Sequence, residues 1–290
     1  MRSLAVCGAV GAFALLGASL TLAAPGPSAA PLSTPLVRGN EFVLVGQMTQ
    51  GGWIRGVAPV GTQLVAIDGK PLGLSPDGRF FAAFDRDSGP KVELVARRGD
   101  LPTVRKQLAI TPRAWSIERV NTPFRPGALP DADFLRIRAG ELVQIATARS
   151  LPTAAAGWRM PFIWPTIGRI SGKFGAQRIY QGKPGAYHAG LDIAVAAGTP
   201  YVAPADGVVV LAASSPFTLE GNLLIVDHGM GLSSAFLHSS RLAVKVGDRV
   251  RQGQVLGYAG MTGRASGPHL HWALKWREAR LDPLLFVAAR

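Results

Sequence analysis

The sequence predicts an all-β protein, and three observations carry that expectation. Short apolar runs with period-two alternation recur along most of the chain and are bounded by Gly, Pro, Asn and Asp. Asp-Gly pairs fall between such runs at Asp68-Gly69 and Asp77-Gly78, and Asp-Gly supplies the positive φ that tight hairpin turns require. Helical periodicity is confined to one place, a short helix expected from a cap at Asp131 through Phe134, Ile137, Leu142 and Ile145. Gly140 weakens that helix by about 1 kcal/mol against alanine.

In chain order, Leu4 to Leu22 are almost all apolar or small, follow Arg2 and precede alanine-rich cleavage sites, so residues 1–24 read as a secretory signal peptide. Pro25 and Pro27 follow with no basic stop-transfer cluster, so no stable membrane span is expected after cleavage. Residues 25–40, rich in Pro, Ala and Ser, read as a linker. Residues 41–120 carry strands around Phe42–Gly46, Trp53-Ile54, Thr62–Ile67, Arg79–Phe84, Val92–Ala96 and Val104–Ile110, the spacing of a small β-sandwich-like domain. Nothing in it looks catalytic; it reads as a spacer, a substrate-binding or an autoinhibitory module. Pro123, Pro126 and Pro130 open a connector, 121–157, that holds the short helix. From Trp158 to Arg290 strand-and-turn composition returns, with runs at Gly207–Ala212, Asn222–Asp227, Ser233–His238, Val255–Tyr258 and His269–Lys275.

Composition narrows the function classes. With 290 residues, 48% hydrophobic and 17% charged, the chain can bury a core, which excludes global disorder. Net charge is +13, but the basic residues are scattered, mostly as single arginines. That argues against nucleic acid and fits solubility or attraction to an anionic envelope polymer. The one cysteine, Cys7, lies in the signal segment, so the mature chain has no disulfide and no thiolate ligand.

The five histidines all lie beyond residue 187: His188, His228, His238, His269 and His271. On a strand, His269 and His271 share a face, with Leu270 and Trp272 opposite. His188 reads as a loop histidine, and Asp192, four residues on, as an aspartate at a strand entrance. Two imidazoles and a carboxylate leave a fourth position open on zinc, as a hydrolytic site needs. His238 and His269 are spare for moving a proton and supporting charge on a carbonyl oxygen. His228, in a turn, reads as structural.

These residues sit in an ordered series: His188-Ala-Gly-Leu-Asp192, Asp227-His228-Gly229, Phe236-Leu-His238, Val244 to Gly257, and Thr262-Gly263 through Gly267-Pro-His-Leu-His271. From about Arg169 to Asp282 the series resembles the lysostaphin/LytM-type zinc metalloendopeptidases of bacterial cell-wall metabolism. The resemblance implies an antiparallel β fold with an open groove, zinc held by His188, Asp192 and His271, and catalytic histidines at His238 and His269. It implies cleavage of the peptide stems of crosslinked peptidoglycan, and the signal segment adds export, periplasmic or secreted. His269 is expected as the base and His238 as support for the tetrahedral intermediate, though the two roles can be exchanged.

Two positions depart from the family pattern. Phe236 stands where tyrosine is frequent, and Ala273 where an acidic residue is frequent. Tyr180 and Tyr187 are candidates for stabilising the oxyanion, and Arg178 for steering a substrate carboxylate. A non-catalytic, groove-binding regulator of another wall hydrolase, acting with a protein partner, is the main alternative. Such relatives typically lose ligands, and here all five site positions are intact. A non-haem iron centre also uses two histidines and a carboxylate, but export and the surrounding series argue against it. Val244 to Gly257 resembles half of a biotinyl or lipoyl carrier, yet the chain has no Met-Lys-Met or Asp-Lys.

Overall fold

The computed structural model describes residues 39–121 and 132–290. The expected signal segment, most of the linker, the connector prolines and the Asp131 cap lie outside the described residues. Among the described residues no helix is long and apolar enough to cross a membrane.

The N-terminal region is β throughout. Val43–Gln47, Trp53–Val57 and Arg79–Ala83 form one antiparallel sheet. A second sheet runs Lys70–Pro71, Leu64–Ile67, Lys91–Arg98, Leu101–Ala109. The predicted Asp-Gly hairpin is there: Ile67 pairs with Lys70 across Asp68 (φ 44°) and Gly69 (φ 74°). Inward residues of both sheets, among them Ile54, Val65, Phe80 and Leu94, are fully buried.

Beyond it lies an eight-stranded sheet. Its order is Arg249–Val250, Gly207–Ala212, Asn222–Gly229, Leu232–Ser239, Leu270–Trp276, Leu191–Ala194, Arg169–Gly172, with Ala279–Leu281 also paired to Leu270–Trp276. Period-two alternation gives each strand two faces. Leu191, Ile193, Leu224, Val226, Phe236, Leu270, Trp272 and Leu274 enter one core, which a small sheet of Pro200–Val202, Val255–Tyr258 and Arg241–Leu242 helps to close. Leu223, Ile225, Ala235, Leu237 and Ala273 point the other way. From residue 157 on, helical structure is limited to the 3-10 turns Gly157–Arg159 and Pro283–Leu285.

The helix spans Ala132–Ser150, longer than the short one expected, and it packs on that second face. Only part of the expected apolar stripe is buried: Ile145 packs on the sheet, whereas Ile137 and Leu142 are exposed. The contacting face is Arg138, Glu141, Ile145 and Ala148, at helical i, i+3, i+4 spacing. Ile145 and Ala148 meet the apolar floor. Arg138 donates to both carboxylate oxygens of Glu220 at 2.6 and 2.7 Å, and Glu141 accepts from the Thr218 backbone and hydroxyl at 2.5 and 2.7 Å. Fork-to-carboxylate pairing of that kind fixes a helix where apolar area is small.

Ile117–Val120 falls within the bounds expected for the N-terminal domain, 41–120, where no strand is predicted for it. It pairs, in parallel, with Gln177–Tyr180, which also pairs with Lys183–Pro184. Its alternation does not distinguish an N-terminal partner from a distant one.

His228 has the structural role read for it. It is fully buried, with Phe162 edge-on to its ring. Nδ1–H donates to the Asp206 carbonyl at 2.8 Å and Nε2 accepts from the Ser234 hydroxyl at 2.7 Å. Burial pushes its pKa down to about 4, so the folded chain keeps the ring neutral where an unfolded chain takes a proton near 6.5. The unfolded state binds more protons between those values, so the stability contribution is full above about 6.5 and is lost as pH falls toward 4. We expect that loss to reach about 3 kcal/mol. Denaturant unfolding of parent and His228→Gln at pH 7 and 4.5 checks it: the variant should show a shallower fall with acidification, and equal falls would refute the assignment.

Candidate metal centre

The five predicted site residues come together. Asp192 and His271 are directly opposed on neighbouring antiparallel strands, and both side chains leave the sheet on the face that carries Leu237 and Ala273. His188 reaches the same point from the loop before Leu191–Ala194. His271 Nδ1 lies 2.7 Å from Asp192 Oδ1, His188 Nε2 lies 3.1 Å from Asp192 Oδ2, and the two imidazole nitrogens are 3.2 Å apart. These three residues form the one group among the described residues whose His, Asp, Glu or Cys ligand atoms could jointly hold a metal ion.

The donor set fits a divalent cation. His188 Nδ1 lies 3.0 Å from the Lys173 carbonyl, which can only accept, so Nδ1 carries the proton. The bare Nε2 then faces a carboxylate and a second imidazole nitrogen. Lone pairs and negative charge converge there, an arrangement that a cation relieves. Bonds of 2.0–2.1 Å in a tetrahedral site place donors about 3.3 Å apart, close to the spacing found. Protons can stand in for that cation: burial opposes the charge of Asp192, but hydrogen bonds from protonated His188 and His271 and their charges outweigh it and hold the carboxyl well below its usual range. Burial likewise works against a charged His188, but Asp192 outweighs it and raises the pKa; in His271 burial prevails and lowers it.

His238 and His269 flank this group. Their ring centroids are 5.0 Å apart, and His269 Nε2 is 3.7 Å from Asp192 Oδ1. Nδ1–H of His238 donates to the Thr262 carbonyl, and that of His269 to the Gly267 carbonyl, each at 2.8 Å. In both neutral rings Nε2 is therefore the basic nitrogen. Burial is the first cause lowering the His238 pKa, which keeps it a proton acceptor.

His238 gets there through a bulge. Between Asn222↔Ser239 and Leu224↔Phe236 its strand holds one extra residue, and His238 has φ +63°. Strict alternation from Phe236 would send His238 into the core; the bulge and left-handed backbone re-aim it. The strain, about 1–2 kcal/mol for a non-glycine residue, is invisible in a run read as continuous strand.

Two glycines also went unread as site residues. A Cβ at Gly190 would lie 2.5 Å from His271 Nε2, and one at Gly172, opposite Asp192, would collide with Asp192 Oδ2. Neither has positive φ. They are glycine to make room for ligands. A glycine inside a strand, as at Gly172, is the one available signal of such close approach.

The secondary candidates are otherwise engaged. Tyr187 packs edge-on to Phe174 with Arg86 and Arg280 over its ring. Arg178 pairs with Glu118 at 2.6 Å, and Tyr180 lies beside Gly185 on the hairpin. Phe236 is fully buried and stacked on Tyr201, so the missing tyrosine concerns the core. Ala273 packs in the cluster under the helix.

A strand-borne Asp/His pair, a loop histidine and two flanking histidines on an antiparallel sheet define a metallopeptidase-like centre. Residues 186–283 match Peptidase family M23, the lysostaphin/LytM-type family that this segment resembles. It is 41% identical over 107 residues to the peptidoglycan DD-endopeptidase ShyA of Vibrio cholerae, covering 37% of this chain and 24% of ShyA. It is 32% identical over 145 residues to the murein hydrolase activator NlpD of Salmonella typhimurium, covering 50% of this chain and 34% of NlpD. The chain thus spans about a quarter to a third of the length of these relatives. A crystal structure of a Pseudomonas aeruginosa protein assigned to peptidase M23 aligns over 83% of this chain and 95% of its own, at 27% identity and a TM-score of 0.63. That coverage takes in N-terminal β structure as well as the M23 segment.

Overpacking a core typically costs about 1–3 kcal/mol. Gly190→Ala and Gly172→Ala should each lose that much stability and bind zinc at least tenfold more weakly than the parent, read by competition with a chromophoric chelator. Parent-like affinity in both would refute their role as space for the ligands.

Proposed function

We propose that this chain is an exported zinc-dependent endopeptidase that hydrolyses peptide crosslinks of bacterial peptidoglycan. The observation that supports it most is the convergence of His188, Asp192 and His271 with two further histidines whose basic Nε2 atoms serve the same cleft. His188, Asp192 and His271 would hold the zinc, which when bound supplies Lewis acidity, making water nucleophilic near neutral pH and polarising the scissile carbonyl. His269 Nε2 takes the proton of the attacking water. His238, once protonated, supports charge on the carbonyl oxygen and delivers a proton to the leaving amine. The name of the ShyA relative favours a D-alanyl to diamino-acid bond as the one cut.

A second reading is supported by the likeness to NlpD: a groove-binding activator of another hydrolase. The complete set of five side chains favours the enzyme. Intact sacculi of defined chemistry distinguish the two readings. The parent should release chelator-sensitive fragments identifiable by mass, and His188→Ala or His271→Ala should abolish both zinc binding and digestion. His269→Ala should keep zinc and lose about 10²–10⁴-fold in turnover. Digestion by His271→Ala at the parent's rate would overturn the proposal.

A further inference from the structure

Arg86 lies in the N-terminal β region, just past the strand Arg79–Ala83, and its side chain is only 7% exposed. Buried arginine needs partners, and this one finds them across the chain. Nε and Nη2 donate to the Gly175 carbonyl at 3.3 and 3.1 Å, and Nη2 also to Gln177 Oε1 at 3.0 Å. Nη1 is held by Asp87 at 2.7 Å. The guanidinium lies over the Trp115 and Tyr187 rings, 5.1 and 4.5 Å from their centroids. The Trp115 ring in turn fills the space where a Cβ at Gly175 would stand, and Gly175 has φ +82°.

The clamped loop is the one that orients His188. Gly175 N–H donates to the His188 carbonyl at 2.9 Å, and His188 N–H to the Ala176 carbonyl at 2.8 Å. The neighbouring Lys173 carbonyl receives the His188 Nδ1 proton, which leaves Nε2 as the ligand atom. Tyr187, under the Arg86 guanidinium, is the residue before His188. On the far side Ile117–Val120 adds a parallel strand to Gln177–Tyr180.

We infer that Arg86 is a positioning residue for the metal centre, through which the N-terminal β region sets the orientation of His188 and hence the affinity for the ion. The inference rests on the metal reading proposed above. Loss of the partners that orient a ligand typically costs about 10–100-fold in metal affinity. Lysine cannot replace the fork, because one ammonium does not span the Gly175 carbonyl and the Gln177 amide with the same geometry. The chain contains its own control: Arg55, also from the N-terminal region, donates to the Trp158 and Met160 carbonyls at 2.6 and 2.5 Å, in a segment that holds no ligand.

The test compares full-length parent, Arg86→Lys, Arg55→Lys and His188→Ala, measuring zinc affinity by chelator competition and Tm in the absence of zinc. The parent should bind one zinc and His188→Ala none. Arg86→Lys should bind zinc at least tenfold more weakly, whereas Arg55→Lys should lower Tm and leave zinc affinity unchanged. A parent that binds no zinc overturns the metal reading and this inference with it. A zinc-binding parent with an equally tight Arg86→Lys, or an Arg55→Lys that loses as much affinity, overturns the inference alone. Should Arg86→Lys not fold, Gln177→Leu, which removes one acceptor and keeps Arg86, must weaken zinc binding in the same direction; parent-like affinity there overturns it too.

Discussion

Asp192 sits directly across an antiparallel pair from His271, and the centre is built around that register. A one-residue slip would turn one of the two side chains into the core. The slip is prevented by what lies on the opposite face. Leu191 and Ile193 on one strand, and Leu270 and Trp272 on the other, are fully buried, so a one-residue slip exposes large apolar area. The apolar face thereby fixes the polar face.

Around this pair the remaining histidines are oriented by backbone carbonyls. Lys173, Thr262 and Gly267 each take the Nδ1 proton of one ring, which settles which nitrogen of His188, His238 and His269 is basic. His228 shows the contrast. Both of its nitrogens are satisfied within the core, so the same residue type carries no chemistry there. The helix Ala132–Ser150 shares the sheet face with the centre and is tied through Glu220, whose carbonyl also accepts the His238 backbone N–H at 2.8 Å. The N-terminal region reaches the loop before His188 through Arg86, and Ile117–Val120 pairs with Gln177–Tyr180 in the same loop region.

The strands of the C-terminal region, the Asp68-Gly69 hairpin and the five polar residues of the site were legible because each leaves a local trace. Alternation marks a half-buried strand, Asp-Gly marks a turn, and histidine and aspartate are chemically distinctive. The helix was legible in existence but only partly in its buried face: Ile145 was in the expected stripe, whereas Arg138 and Glu141 contact their partners through charge, which an apolar stripe does not report. The parallel pairing of Ile117–Val120 was not legible at all, since alternation gives a strand's faces without naming its neighbour.

By itself, then, the amino-acid order determined the all-β class and the residues able to hold an ion, because composition and spacing are properties of short segments. Tertiary structure alone decided how those residues meet: the Asp192–His271 register, the bulge that turns His238 over, the room left by Gly172 and Gly190, and the reach of Arg86 to the His188 loop. Each of these depends on atoms far apart in the chain brought within a few ångströms, and no local pattern encodes that proximity.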